Sequence, residues 1–384
     1  MPTFLLAPDS LKGSLSAIAA CTALERGVRR ALAGKSTPEF MAVPLADGGE
    51  GTVDALLRGC GGKLQTAQVR DPLGTEITAR WAILQDGRAA IEMAQSSGLT
   101  LVPVEKRDAL GASSFGTGEL VRSALDAGCH EILIGIGGSA TTDGGSGALA
   151  ALGVKFLDAR GVELPRGGAA LQNLARIDAS DLDARLRETR VKILCDVTNP
   201  LCGANGAAHV YSPQKGASFA DAEILDAALE NFADVCAQAF GRDLRNVAGA
   251  GAAGGTGFGL LSFLQCELVP GIDAVLQSAN FAEKLERADF VFTAEGAIDA
   301  QTPQGKALAG IARAAGKAKN GRGVPVIAFG GAVKLSGDEL QKMGIAAALP
   351  LPDAPQSLDE CLTRAVELLS DAAERATRLL IIGQ

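Results

Sequence analysis

Five short stretches of this 384-residue chain place an acid beside glycine or another turn residue. They are Asp9-Ser-Leu-Lys-Gly13, Asp47-Gly-Gly-Glu-Gly51, Gly135–Gly147 around Asp143, Asp196-Val-Thr-Asn-Pro200 and Glu295-Gly-Ala-Ile-Asp299. Each follows an apolar run that reads as a strand and precedes a helix or turn. Ligands of open α/β sheets bind at such carboxyl ends of strands. Glycine lets main-chain N–H groups approach an anion closely, and a helix N-terminus adds its positive end. Carboxylates beside an anion cradle would repel its ligand unless a metal or a hydroxyl proton lay between them. The set therefore points to Mg²⁺-assisted chemistry on phosphates. A single Asp-Gly-Gly is most often only a turn; five such loops favour function, in one site or two.

A competing pattern lies among the same glycines. Gly135-x-Gly137-x-x-Ala140 and Gly249-x-Gly251-x-x-Gly254 both fit the dinucleotide fingerprint, and Asp158 ends a strand-like run, Val154–Leu157, about 20 residues after the first. This supports an NAD-dependent oxidoreductase as the alternative. Against it, Gly144-Gly145 fall where the fingerprint's helix should run unbroken, and Arg242–Asn246 does not read as a buried strand. No Walker-type phosphate loop is present: Gly34-Lys-Ser36 has Arg29 where the leading glycine belongs. A third reading is a non-catalytic nucleotide or metabolite sensor.

The elements that must position these loops alternate along the chain. Thr3–Ala7 reads as a buried strand, and Ile18, Cys21, Leu24, Val28 and Leu32 recur at helical spacing up to Gly34. Phe40–Leu45 is a second strand. Gln65–Arg70, Thr75–Leu84 and Arg88–Ala94 are separated by Asp71-Pro-Leu-Gly74 and Gln85-Asp-Gly-Arg88, which predicts an antiparallel meander with a sheet of its own. Further strands are expected at Glu131–Ile136, Val191–Cys195, Phe290–Thr293, Val324–Phe329 and Ile345–Leu349. A last helix starts at the capping-box spacing Ser357-x-x-Glu360 and runs through Leu380. The expected fold is α/β with two domains. A doubly wound, mostly parallel sheet domain is formed by both chain ends, 1–62 and 285–384; an inserted α/β domain, 63–284, carries the meander.

Composition narrows the function. Glycine numbers 48, apolar residues make up 47% and charged residues 21%, which supports large packed cores and excludes disorder. A net charge of −8 with 4% aromatics argues against nucleic acid. No apolar run reaches the ~20 residues of a membrane span. Eight scattered cysteines without a C-x-x-C pair suggest a reducing compartment, and a cytoplasmic location is expected. With only His130 and His209, a multi-histidine zinc site or histidine triad has little to draw on.

Six motifs carry a resemblance: Ala7-Pro-Asp-Ser-Leu-Lys-Gly-Ser-Leu15, Pro44-Leu-Ala-Asp-Gly-Gly-Glu-Gly-Thr52, Phe115-Gly-Thr-Gly-Glu-Leu120, the 135–147 glycine cluster, Asp196-Val-Thr-Asn-Pro-Leu-Cys-Gly203 and Gln214-Lys-Gly216. In order and spacing from residue 4 to about 331 the chain resembles the bacterial glycerate kinases of the glyoxylate and glucarate pathways. The resemblance implies phosphorylation of D-glycerate to 2-phosphoglycerate by ATP and Mg²⁺, in a cleft between two α/β domains. One departure is Thr293-Ala-Glu-Gly-Ala-Ile-Asp299, where the family tends to read Thr-Gly-Glu-Gly-Arg-x-Asp; Ala297 removes a cation, for which Lys306 is a candidate substitute.

Phosphoryl transfer to a hydroxy acid needs a phosphate cradle, carboxylates for the metal, an acid that orients the hydroxyl, and donors for the substrate carboxylate. Asp196 is expected to orient the hydroxyl, with Lys12 and Asp47 as further catalytic groups. Gly137, Gly138 and Ser139 are expected to present N–H groups to the nucleotide, joined by Gly254 and Gly255. Asp143, Glu295 and Asp299 are the metal candidates. Ser10, Gly48, Asn199 and Arg70 are the substrate-binding candidates. Lys215 is a further carboxylate partner but reads more readily as a surface charge. Trp81 and Tyr211 read as packing residues and His209 as a structural hydrogen-bonder. A small-molecule partner is expected, with a homodimer as the assembly to look for.

Overall fold

The computed structural model describes residues 1–381 apart from Lys12, Asp47, Gln301 and 303–305, and of Lys306 only the main chain. In chain order the strands are β1 (Thr3–Leu6), β2 (Glu39–Ala42), β3 (Gly62–Arg70), β4 (Glu76–Leu84), β5 (Ala89–Glu92) and β6 (Glu131–Gly135). There follow β7 (Lys155–Leu157), β8 (Arg176–Asp178), β9 (Arg190–Leu194), β10 (Cys266–Val269), β11 (Phe290–Ile298), β12 (Val326–Val333) and β13 (Ala347–Pro350). The chain packs into two compact units. One comprises Met1–Ala46, Asp54–Gly61 and Ile272–Gln384; the other comprises Asp47–Val53 and Gly62–Gly271.

The first unit is built on a five-stranded sheet in the order β13-β12-β11-β1-β2, parallel throughout. Its inner strands β1, β11 and β12 are largely apolar and buried because both faces are covered. Leu5 and Val291 face one core with Ile311 and Leu285, while Phe4, Leu6 and Phe292 face the other with Leu24 and Leu369. Helices on both faces make the sheet doubly wound. On the second face helices Ala17–Leu32 and Ala365–Leu380 approach so closely that a Cβ on Gly27 would lie 2.1 Å from the Ser370 carbonyl oxygen. The Ser357 capping box forms, but the terminal helix is not continuous: Arg364, at φ −93° and ψ 9°, separates Leu358–Thr363 from Ala365–Leu380. The stretch 295–298, expected as a loop, belongs to β11, because β12 is long enough to pair with it as far as Ile298–Val333.

The second unit holds a six-stranded sheet in the order β10-β9-β6-β5-β4-β3. The meander forms over β3, β4 and β5, but without a separate sheet. Strand β5 pairs antiparallel with β4 and parallel with β6, so the meander continues into the parallel strands β6, β9 and β10. The run before Asp158 becomes β7, which pairs with β8 in a two-stranded sheet and bridges Glu163 through Leu157, apart from the six-stranded sheet. The helix after the 135–147 loop spans only Ser146–Ala151. A dinucleotide fold requires a long helix leading to a strand of the same sheet, and neither condition is met after Gly135.

Candidate functional site

Within the second unit, the loops leaving β6 and β9 open on a hollow of about 350 Å³. Its wall includes Gly137, Gly138 and Ser139 after β6, Cys195 and Asp196 after β9, Tyr211 and Lys215 from the following segment, and Ala252 and Ala253. This is the carboxyl edge of neighbouring parallel strands, where ligands of such sheets sit.

The 136–147 loop is held from several sides. The Gly137 N–H donates to the Gly48 carbonyl at 3.0 Å, the Ala140 N–H to the Ser97 carbonyl at 2.8 Å, and the Leu99 N–H to the Gly138 carbonyl at 2.8 Å. Gly137 is thus not a cradle donor as expected, since its N–H is committed to Gly48. The Gly138 and Ser139 N–H groups have no acceptor among the described residues. Gly138, at φ +72°, takes the left-handed conformation that a side chain would oppose. Gly48, a substrate candidate, serves as a spacer: its Cβ would stand 2.5 Å from the Leu194 carbonyl oxygen.

Asp143 is fully buried. Its Oδ2 accepts from the Ser114 N–H at 2.8 Å, the Ser114 hydroxyl at 2.9 Å and the Gly147 N–H at 3.2 Å, and its Oδ1 from the Gly145 N–H at 3.1 Å. Burial pushes its carboxyl up, opposed by these donors. A metal here would have to displace the chain's own hydrogen bonds, so Asp143 does not fit the metal-ligand role; it braces the loop. Gly254 and Gly255 do not fit the cradle either. A Cβ on Gly254 would lie 2.0 Å from the Thr141 carbonyl oxygen, and one on Gly255 2.7 Å from Leu201. Both are sites of close backbone approach. With Ala253 they form three consecutive left-handed residues, at φ 52°, 67° and 87°.

Asp196 lies half-buried on the hollow's wall, and its Oδ1 accepts from the Gly271 N–H at 3.1 Å. Its loop is braced by Asn199, whose amide donates to the Asn205 carbonyl at 2.8 Å and whose Oδ1 accepts from the Tyr211 hydroxyl at 2.7 Å. Asn199 therefore holds the loop and is outside the wall. Tyr211, expected only to pack, reaches the wall while anchoring Asn199. Arg70 does not fit the substrate role: it is exposed at the β3–β4 turn, where it donates to the Gly74 carbonyl at 3.3 Å. His209 stands 3.7 Å from Asp226 and 3.8 Å from Glu223, away from the wall.

The group least visible in the sequence is Lys215. It is 2% exposed, its Nζ donates to Ser139 Oγ at 3.0 Å and to the Thr141 carbonyl at 2.6 Å, and it reaches the hollow. The surface reading of this lysine is overturned. Its signal was the following Gly216, which takes φ +99° and where a Cβ would stand 2.9 Å from the Arg107 Cβ.

The remaining candidates lie in the first unit or outside the described residues. Ser10 follows β1, and its N–H donates to Asp9 Oδ1 at 2.6 Å. Glu295 is on β11 opposite Gly330, and the Asp299 N–H donates to the Thr302 hydroxyl at 2.8 Å. Lys12 and Asp47 lie outside the described residues, as does the Lys306 side chain. Among the described residues no group of three or more His, Cys, Asp or Glu is arranged to hold a metal, and no helix is long and apolar enough to cross a membrane.

Residues 4–381 match the glycerate kinase family. A glycerate kinase of Halalkalibacterium halodurans is 44% identical over 374 residues, covering 97% of each chain. A glycerate 2-kinase of Escherichia coli is 43% identical over 380 residues, covering 99% of this chain and 98% of that one. Among solved structures, one named as a glycerate kinase 2 from Salmonella typhimurium superposes with a TM-score of 0.87 at 41% identity, over 100% of this chain and 99% of that one.

Proposed function

The chain belongs to the glycerate kinase family, and from that premise we propose that it transfers the γ-phosphoryl group of ATP to the 2-hydroxyl of D-glycerate. One observation carries this reading: Gly138, Ser139 and Asp196 line a single hollow at the carboxyl edge of β6 and β9. The unpartnered N–H groups of Gly138 and Ser139 suit phosphate oxygens. Nothing favours the oxidoreductase alternative, since Asp158 follows a strand outside the six-stranded sheet.

In this scheme Asp196 accepts a hydrogen bond from the glycerate hydroxyl, with its other oxygen fixed by the Gly271 N–H. The hydroxyl oxygen attacks the γ-phosphorus, the bond to the β-γ bridging oxygen breaks, ADP leaves, and the hydroxyl proton passes to Asp196. Asn199 and Tyr211 keep the Asp196 loop in register. Mg²⁺, when bound with the nucleotide, would neutralise charge on the phosphate oxygens, and Asp196 is the carboxylate on the wall of the hollow that could help hold it.

Phosphorus NMR after incubation with D-glycerate and ATP·Mg²⁺ tests the assignment. The expected product is 2-phosphoglycerate. A 3-phosphoglycerate signal would overturn the regiochemistry, and ATP consumption indifferent to glycerate would overturn the acceptor. Asp196→Asn is expected to lower kcat at least ~100-fold with an unchanged melting temperature; near-normal turnover would remove Asp196 from the scheme.

A further inference from the structure

A lysine ammonium has three N–H donors. Two of those on Lys215 are accounted for by Ser139 Oγ and the Thr141 carbonyl, both on the loop that carries the unpartnered Gly138 and Ser139 N–H groups. Nζ is thereby tied to the loop that carries the candidate phosphate donors, and Lys215 lines the hollow with them. The same segments hold three more hydroxyls, on Thr141, Thr142 and Ser212, that are buried without any partner. Buried polar groups are almost always hydrogen-bonded. Lys215 lines the hollow beside the Gly138 and Ser139 N–H groups, and the three hydroxyls lie behind that wall, in the same segments; a buried cation beside two open N–H donors suits an oxygen-rich anion.

We propose that Lys215 is a catalytic cation: its third N–H meets an oxygen of the transferred phosphoryl group, and nucleotide binding draws a proton onto its amine. The proposal deepens the phosphoryl-transfer reading and rests on it for the identity of the acceptor only. Burial brings the Lys215 amine down to about 7, opposed by the charge of Asp143. Near neutral pH the empty hollow therefore holds it partly deprotonated, and a polyanion arriving beside it favours the charged form. The other charged or titratable groups around it are Arg107, which donates to the Gln214 carbonyl, and Asp196, Cys195 and Tyr211 on the same wall.

The test uses the full chain and ATP·Mg²⁺. Calorimetric titrations at pH 7.5 in two buffers of different ionisation enthalpy should show roughly half to three-quarters of a proton taken up per nucleotide by the wild type. Lys215→Met and Lys215→Arg should show none, because methionine has no proton to gain and arginine stays charged. In steady state Lys215→Met should lose at least ~100-fold in kcat, with the KM for glycerate within about threefold of wild type. Proton uptake that persists in the methionine variant, or a loss falling on the glycerate KM with nucleotide affinity intact, would overturn the proposal. Should the variants not fold, the wild type alone decides. Its ATP·Mg²⁺ affinity should fall as pH rises from 7 to 9, and a flat profile overturns the assignment. The binding arms need no turnover, so an absence of glycerate-dependent reaction counts against the acceptor and leaves the Lys215 result standing.

Discussion

Replacing Gly254 by alanine probes the left-handed turn that supports the hollow. Two costs are read from the structure. At φ +67° an L-residue is disfavoured by ~1–2 kcal/mol. The new Cβ would also lie 2.0 Å from the Thr141 carbonyl oxygen and 2.6 Å from the Thr142 Cα, main-chain atoms that cannot swing aside. Such overpacking costs ~1–3 kcal/mol. Together the loss of stability is about 2–5 kcal/mol, less the few tenths that alanine gains by restricting the unfolded chain. The control is Gly128→Ala, which shares the strain at φ +80° but meets nothing within 4 Å. Thermal unfolding should place Gly254→Ala roughly 5–15 °C below wild type and clearly below the control. Because the Thr141 carbonyl also accepts from Lys215 Nζ, relief of the overlap should weaken ATP·Mg²⁺ binding in this variant and not in the control. Equal melting temperatures and equal nucleotide affinities for the two variants would refute the close-approach argument.

Asp143→Ala strands three N–H groups and a hydroxyl in a fully buried loop; at ~1–3 kcal/mol per unsatisfied group it should destabilise the second unit by about 4 kcal/mol or more, read by urea unfolding. Tyr211→Phe removes the bond to Asn199 and should cost only ~0.5–1.5 kcal/mol, with less than a tenfold fall in kcat. Lys215 makes stability pH-dependent. The unfolded chain binds its proton up to about pH 10.5 but the folded chain only up to about 7, so between these values the unfolded state holds more protons and stability rises with pH. At ~1.4 kcal/mol per pKa unit the full span is on the order of 5 kcal/mol, and the difference between wild type and Lys215→Met in urea unfolding at pH 6.5 and 9 should carry that slope. A difference independent of pH would contradict a buried amine.

Much of the fold was legible because the relevant forces are local. Uninterrupted apolar runs such as Ile132–Ile134 could only be strands covered on both faces, and Asp71-Pro-Leu-Gly74 fixed the β3–β4 hairpin, whose turn the Asp71 carboxylate closes on the Leu73 and Thr75 N–H groups. What escaped depends on partners distant in sequence. Nothing within β5 says that one edge pairs antiparallel and the other parallel, and the extension of β11 to Ile298 depends on the length of β12. At the candidate site, residue types singled out Asp196 and the Gly138–Ser139 loop, which line one hollow, but not the direction of their hydrogen bonds. Asp143 and Gly254 carry the signatures of a ligand site and use them on the chain's own backbone. Lys215 was the reverse: its type suggests solvent, and only the tertiary fold shows it buried against Ser139.

The inner position of β1 in the parallel sheet has a consequence for biosynthesis. β1 sits between β2, which follows it closely, and β11, which faces it through the Phe4–Phe290 pairing. At ~5–20 residues per second, β11 leaves the ribosome roughly 15–60 s after β1. For that interval the nascent chain carries an apolar strand with one open edge, a template for intermolecular pairing. The 62–271 segment emerges in that interval, so the open edge of β1 waits for the carboxyl-terminal quarter of the chain, which begins with β11.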